Sequence, residues 1–272
     1  MKKKVAVLLT LVLVITSAFA LTGCGGGEAN DAVIKVGATP APHAEVLEII
    51  KDNLADEGYT LEIVEYNDYV LPNRGVSEGD LDANYFQHVS YLNNYNEENG
   101  TDIANAGSIH YEPFAVYAGK TAKIADLKEG AKVAVPNDGT NEGRALKLLE
   151  AQGLIKLNPE AGFLATKVDI VENKLNLDIV EMEAAQLPRV LADVDIAVIN
   201  GNYAIDGGLK LADALAIEAG DSEAAQTYAN IIAVAAGHEN DAKIKALVAA
   251  LQTQEVKDFI EKTYEGAVVP LF

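Results

Sequence analysis

The chain has 272 residues, a formal charge of −20 and one cysteine. So acidic a surface repels nucleic acid and anionic headgroups, which argues against a DNA-, RNA- or heparin-binding protein. A single cysteine allows no intramolecular disulfide, so the fold must depend on its apolar core.

The N-terminus has the features of an export signal. Three lysines at 2–4 precede an apolar run at 5–21, a pattern typical of a cleaved signal peptide. The run is long enough that a retained membrane helix is the alternative. Its ending, Leu21-Thr22-Gly23-Cys24, resembles a bacterial lipobox, in which the cysteine is diacylated and becomes the new N-terminus.

We therefore predict a signal peptide at 1–23, lipidation of Cys24 and a flexible, glycine-rich tether at 24–31. Several acyl chains hold a protein stably to a bilayer, whereas one does so only marginally. The expected location is the extracytoplasmic face of a cell membrane, with the protein anchored by its lipid.

Strands and helices alternate along the rest of the chain. Val46, Leu47, Ile50 and Leu54 recur at helical spacing after Pro42, which suits the first turn of a helix. Similar patterns predict strands at 33–37, 61–64, 82–86, 132–135, 177–180 and 195–199, and helices at 70–78, 91–96, 140–152 and 184–191. The alternation indicates an α/β fold with parallel βαβ units, in which ligands bind beyond the carboxyl ends of the strands.

Two further segments, at 111–118 and 228–235, are apolar and extended. If each crosses between lobes, the chain forms two lobes joined by two hinge crossovers. The expected boundaries are 32–116 plus 226–272 for lobe one and 117–225 for lobe two.

Polar residues near the strand ends are candidates for holding a small zwitterion. Arg144 and Asn141 lie in the first turns of a helix, where free N–H groups and a guanidinium favour a carboxylate. Asn202 follows an apolar strand, while Asn230 and Glu112 lie on the crossover segments. Each also has a plainer interpretation, as a surface arginine, a turn or cap asparagine, or a solvated glutamate.

Seven segments in order resemble the methionine-binding lipoproteins, the NlpA or MetQ family: KVGATPAPHAE (35–45), LDANYFQH (81–88), VPNDGTNEGRAL (135–146), EAAQLPR (183–189), DIAVINGNY (195–203), YANII (228–232) and GAVVPLF (266–272). The resemblance extends from Val33 to Phe272. It implies a two-lobed periplasmic-binding-protein fold of type II-like architecture. Such a receptor closes over methionine and passes it to an ABC permease with a cytoplasmic ATPase.

The resemblance also implies roles for individual residues. Arg144 matches the carboxylate-binding arginine, and Asn141, Asn202, Asn230 and Glu112 would complete the polar contacts. An apolar and aromatic wall for the side chain would be formed by Tyr69, Phe86, His88, Tyr91 and His110.

Rival functions find less support in the sequence. The histidines lack paired metal-ligand spacing, and the G-x-S-x-G, H-E-x-x-H and phosphate-loop motifs are absent. We expect no catalytic residue, no cofactor and no metal, and a monomer. The open alternatives are a receptor for another small apolar amino acid or a methionine-containing dipeptide and, more remotely, an exported enzyme.

Overall fold

The computed structural model describes residues 32–220 and 226–272. The predicted signal peptide, Cys24 and the tether lie outside these residues. Within the described ranges, no helix combines the length and apolar character needed to cross a bilayer.

The strands are β1 Val33–Ala38, β2 Thr60–Glu65, β3 Ala83–His88, β4 Ile103–Tyr111, β5 Ala115–Ala118, β6 Lys132–Pro136, β7 Lys156–Leu157, β8 Ile170–Glu172, β9 Asp178–Met182, β10 Ile196–Ile199, β11 Ala216–Ile217, β12 Ala229–Ala235 and β13 Val269–Pro270. The α-helices are α1 Glu45–Ile49, α2 Lys51–Asp56, α3 Leu71–Glu78, α4 Val89–Asn99, α5 Gly139–Ala151, α6 Gly201–Asp206, α7 Ala242–Leu251 and α8 Gln254–Tyr264. Shorter helical turns lie at Pro40–Ala44, Ile124–Asp126, Pro159–Leu164, Lys167–Asp169, Ala184–Val190 and Leu211–Asp213.

Two separate sheets define two lobes. The first has the order β13-β4-β12-β3-β1-β2, and the second has the order β11-β5-β10-β6-β9. The chain passes from the first sheet to the second between Tyr111 and Ala115, and returns between Ile217 and Ala229. The predicted two-lobed α/β architecture is therefore confirmed.

Both sheets are mixed, although the alternation of elements had predicted parallel ones. β1 runs parallel to β2 and β3, and β6 runs parallel to β9 and β10, as expected for βαβ units. Near the crossovers the prediction is wrong, since β12 is antiparallel to β3 and β4, and β5 is antiparallel to β10. β3, β5, β10 and β12 are buried almost throughout, so their apolar runs carry no signal of direction.

Each sheet is covered on both faces by apolar side chains. In the first lobe, one face packs Val36 and Leu47 among its buried residues, while the other packs Leu81 and Phe86. In the second lobe, two further buried clusters cover the two faces of the sheet. The chain segments that leave β3, β6 and β10 meet at the cleft between the lobes, and they carry the polar residues described next.

Candidate functional site

A cavity with about 340 Å³ of empty space, part of it open to solvent, lies between the lobes. It is lined by Tyr69, Phe86, Gln87, His88, Tyr91, Glu112, Asn141, Arg144, Asn200, Gly201, Asn202 and Asn230. The first lobe, the first crossover and the second lobe all contribute to this wall. A larger cleft of about 680 Å³ adjoins it and shares Tyr69 and Tyr91.

Strand ends position the site because each leads directly into a capped helix. His88 ends β3 and caps α4, and its Nδ1 accepts a hydrogen bond from the Tyr91 N–H at 3.0 Å. After β6, Asp138 caps α5 by accepting from the Asn141 N–H at 3.0 Å. The first two turns of α5 then present Asn141 and Arg144 to the cavity.

Arg144 is buried and held by hydrogen bonds on two sides. Its Nε donates to Glu218 Oε1 at 2.8 Å, and its Nη2 donates to Glu218 Oε2 at 2.5 Å and to the Glu112 carbonyl at 2.8 Å. The guanidinium carbon lies 4.0 Å from the centre of the Tyr228 ring, a cation–π contact. Burial alone would lower the pKa of Arg144, but the ion pair with Glu218 raises it above its ordinary value.

Asn141 lies in the cavity wall, yet its side chain is fully engaged with neighbouring residues. Its Nδ2 donates to both carboxylate oxygens of Asp138, at 2.9 and 3.1 Å. Its Oδ1 accepts from His88 Nε2 at 3.2 Å and from Asn200 Nδ2 at 3.0 Å. The structure thus places Asn141 as the group that orients His88 and Asn200.

Two buried amide atoms in the cavity wall have no hydrogen-bond partner among the described residues: Asn200 Oδ1 and Asn202 Nδ2. The bond from Asn200 Nδ2 to Asn141 fixes which end of the Asn200 amide is the free acceptor. The bond from the Tyr69 hydroxyl to Asn202 Oδ1, at 2.6 Å, likewise leaves Nδ2 as a free donor. Buried polar groups are almost always paired, so this pair of atoms calls for a ligand with both an acceptor and a donor.

Side chains from the two lobes touch across the cleft. The Tyr69–Asn202 and His88–Asn141 hydrogen bonds both cross it. The rings of Tyr69 and Tyr203 stack with their centroids 4.9 Å apart. Tyr69 also lies 5.6 Å from the Phe86 ring and 5.7 Å from the Tyr91 ring, which makes an aromatic wall on the side of the first lobe. The cleft is therefore in a closed arrangement.

Glu112 is held from behind by a buried network. Among the described residues, His110 Nδ1 is the acceptor within reach of the Tyr85 hydroxyl, at 2.5 Å, so the His110 Nε2–H donates to Glu112 Oε1 at 2.8 Å. The Asn202 N–H donates to Glu112 Oε2 at 2.7 Å. Burial raises the pKa of Glu112, whereas the Asn202 N–H and Arg144 lower it. Because both oxygens accept hydrogen bonds, the geometry fits an ionised carboxylate.

The predicted wall residue His110 lies one layer behind the cavity, and His43 lies beside it. His43 Nε2 is 3.0 Å from Asn230 Oδ1 and 3.4 Å from Glu112 Oε1, while its Nδ1 is 2.7 Å from the Thr39 hydroxyl. Burial lowers the pKa of His43 to about 4 and that of His110 to about 3. It also lowers the pKa of His88 to about 3, with a further contribution from Arg144. All three imidazoles are therefore neutral at pH 7.

His43, His110 and Glu112 are the group that could hold a metal ion among the described residues, because their ligand atoms lie within 4.8 Å of one another. The 2.8 Å separation between His110 Nε2 and Glu112 Oε1 is that of a hydrogen bond, and the Nε2 proton lies between the two atoms. A metal ion would need a lone pair from His110 Nε2 and one from Glu112 Oε1, both directed at the ion. The arrangement therefore favours a hydrogen-bond network over a metal site.

Reasoning from sequence missed several residues of this site. Gln87, Asn200 and Gly201 line the cavity, and the strand-end rule that selected Asn202 applies equally to Asn200. Gly201 allows close packing, because a Cβ atom there would lie 2.7 Å from Glu112 Oε2. Glu218, the partner of Arg144, lies in a short irregular segment whose sequence carries no recognisable signal.

Comparison with known proteins agrees with this architecture. The family model described as NlpA lipoprotein matches residues 34–272. The chain belongs to the NlpA lipoprotein family. The resemblance noted in the sequence is thereby confirmed.

Relatives of this NlpA lipoprotein include the D-methionine-binding lipoprotein MetQ of Salmonella typhimurium, which is 42% identical over 260 residues covering 94% of each chain. A nutrient-binding protein from Burkholderia cenocepacia, solved bound to methionine, is 46% identical with a TM-score of 0.84, over 88% of this chain and 100% of that one. A periplasmic substrate-binding protein of an ABC transporter from Coxiella burnetii is 40% identical with a TM-score of 0.82, over 87% and 99% of the two chains.

Proposed function

We propose that this NlpA lipoprotein is the substrate-binding component of an ABC importer and binds methionine between its lobes. The observation that carries the proposal is the pair of unpartnered buried amide atoms, one acceptor and one donor, beside the Arg144 guanidinium. A zwitterion satisfies all three groups at once. The methionine named in the relatives' descriptions supports the choice of amino acid.

The polar atoms divide between the two charged groups of the ligand. Asn202 Nδ2 and Arg144 Nη1 are donors and suit the carboxylate. Asn200 Oδ1 is an acceptor and Glu112 is an anion, so both suit the ammonium group. Asn230 uses its Oδ1 on His43, which leaves its Nδ2 as the donor it brings to the wall.

The aromatic wall suits the thioether. Tyr69, Phe86 and Tyr91 present ring faces and edges to the cavity. Sulfur–aromatic contacts contribute on the order of 0.3–1.5 kcal/mol each, so several of them favour methionine over its alkane analogue norleucine.

Closure of the lobes is the expected mechanism, and no covalent step is involved. The hydrogen bonds that cross the cleft must break before the ligand can enter or leave, so binding is coupled to hinge motion. The lobes we propose are 32–116 plus 226–272 and 117–225, with the hinge where the chain passes between the sheets. The closed form would dock as a monomer on a permease whose ATPase is cytoplasmic.

A thermal-shift panel tests the choice of ligand. Ligand stabilises the folded state by RT ln(1 + [L]/Kd), so the tightest ligand gives the largest shift at equal concentration. We expect methionine to exceed leucine, norleucine and a methionine-containing dipeptide, with the L and D forms compared directly. Equal shifts for norleucine and methionine, or a larger shift for the dipeptide, would contradict the methionine assignment.

We also propose that Cys24 carries the lipid that holds the receptor at the membrane. The motivating observation is the Leu-Thr-Gly-Cys ending of the signal. Mass spectrometry of protein extracted from membranes should find an acylated Cys24 at the N-terminus, and Cys24→Ser should move the protein to the soluble fraction. An unmodified Cys24 in the membrane fraction contradicts the prediction.

A further inference from the structure

The hydrogen bonds of Arg144 determine what it can offer to a ligand. A guanidinium has five N–H groups. Three of them are engaged, because Nε donates to Glu218 and Nη2 donates to both Glu218 and the Glu112 carbonyl. Among the described residues, none accepts a hydrogen bond from Nη1. Arg144 therefore presents a single nitrogen to the cavity, whereas its two-pronged edge faces Glu218.

The carboxylate of Glu218 is held in place by several hydrogen-bond donors. Besides Arg144, the Tyr111 hydroxyl donates to its Oε2 at 2.5 Å and the Phe114 N–H lies 3.4 Å from the same oxygen. Its side chain is 15% exposed, whereas that of Arg144 is 5% exposed. Every one of these contacts comes from a donor, so Glu218 is a carboxylate and neutralises Arg144.

The cavity wall consequently has an excess of negative charge. Glu112 is a second buried carboxylate. His43 and His110 beside it, and His88 in the cavity wall, are neutral and do not balance its charge. Asp138, which caps α5 behind Asn141, has the same sign as Glu112. A ligand with a carboxylate and no ammonium group would add negative charge to this wall, whereas an amino acid brings its own positive group.

We propose that Glu218 is a specificity residue that makes the cleft select amino acids over the matching carboxylic acids that lack an amino group. It does so by cancelling the charge of Arg144, which would otherwise repel the ammonium group that only the amino acid carries. The inference rests on the proposed function, and it adds a residue that acts through Arg144 without touching the ligand.

The test compares two ligands that differ in the amino group alone. Isothermal titration calorimetry gives the dissociation constants of methionine and 4-(methylthio)butanoate for the wild type and for Glu218→Gln, which removes one charge at nearly constant shape. We expect the ratio of the butanoate constant to the methionine constant to fall by about tenfold, because the more positive wall disfavours the ammonium group, which methionine alone carries. The carboxylate is common to both ligands, so any loss of Arg144 orientation cancels in the ratio.

Two further variants complete the design. Glu218→Asp keeps the charge and is expected to keep a ratio close to that of the wild type. The surface control is Glu172→Gln, since Glu172 is 46% exposed and pairs with Lys174. If Glu218→Gln does not fold, Glu218→Ser removes the same charge and carries the same expectation.

An unchanged ratio in the charge-removing variants, or an equal fall in Glu218→Asp, overturns the role of Glu218. The proposed function is judged separately, by whether the wild type binds methionine at all. The role of Glu218 and the binding of methionine are therefore tested by separate measurements, and either can fail without deciding the other.

Discussion

Replacing Arg144 with alanine is expected to weaken methionine binding by about two to three and a half decades. The substitution removes the cation facing the ligand carboxylate and leaves Glu218, whose side chain is 15% exposed, as an anion without its partner. Enclosing the ligand carboxylate without a cation costs roughly 3–5 kcal/mol, and each 1.4 kcal/mol changes the dissociation constant by about tenfold. Isothermal titration calorimetry measures the change directly.

The ligand 3-(methylthio)propylamine identifies the cause of that loss. It keeps the thioether and the ammonium group but has no carboxylate, so its binding should not weaken in Arg144→Ala. Arg74→Ala is the matched control, because Arg74 forms an exposed pair with Glu78 in α3. The double variant Arg144→Ala/Glu218→Gln removes both charges and guards against misfolding. Wild-type methionine affinity in Arg144→Ala, or an equal loss for the amine, would falsify the assignment.

Three buried histidines are expected to lower the stability of the protein on acidification below pH 6.5, because each of them is protonated on unfolding. Their pKa values, about 4 for His43 and about 3 for His88 and His110, lie below the ordinary value of 6.5. Below pH 6.5 these three sites therefore bind more protons in the unfolded chain than in the folded one, and each contributes a loss of about 2 kcal/mol between pH 7 and pH 4.5. Burial raises the pKa of Glu112, Asp138 and Asp206 and that of Glu142 to about 7, so these carboxyl groups take up protons in the folded chain and offset part of the loss.

Urea unfolding at a series of pH values tests this expectation. His110→Gln should reduce the slope of the unfolding free energy against pH in this window by about 1.4 kcal/mol per pH unit, since one proton fewer is taken up on unfolding. His238→Gln is the control, because the His238 side chain is 62% exposed. A slope in His110→Gln equal to that of the wild type would be incompatible with a neutral, buried His110.

The fold was predictable where local patterns carry the information. The α5 helix was expected at 140–152 and lies at Gly139–Ala151, because its apolar spacing and the Asp138 cap are both local signals. The direction of β12 was not predictable. Its buried residues fit either orientation, and the choice depends on pairing with β3 and β4, which are distant in sequence.

Site residues at strand ends and helix starts could be found, whereas their partners could not. Arg144 and Asn202 follow β6 and β10 closely, so topology alone brings them to the cleft. Glu218 meets Arg144 only because β11 pairs with β5 in the second sheet. The free N–H groups predicted for the start of α5 are partly taken by Asp138, a side chain of the turn itself. The sequence also does not show how far a residue lies from the cavity. His110 was expected in the cavity wall and lies one layer behind it.

The two unpartnered amide atoms affect how often a ligand-free receptor closes. Closing the cleft withdraws Asn200 Oδ1 and Asn202 Nδ2 from bulk water without giving either a protein partner, at about 1–3 kcal/mol for each atom. That cost shifts the equilibrium of the ligand-free receptor toward the open state, by roughly thirtyfold or more in the ratio of open to closed molecules. A permease that recognises the closed state would then seldom bind a ligand-free receptor, and little ATP would be hydrolysed without transport.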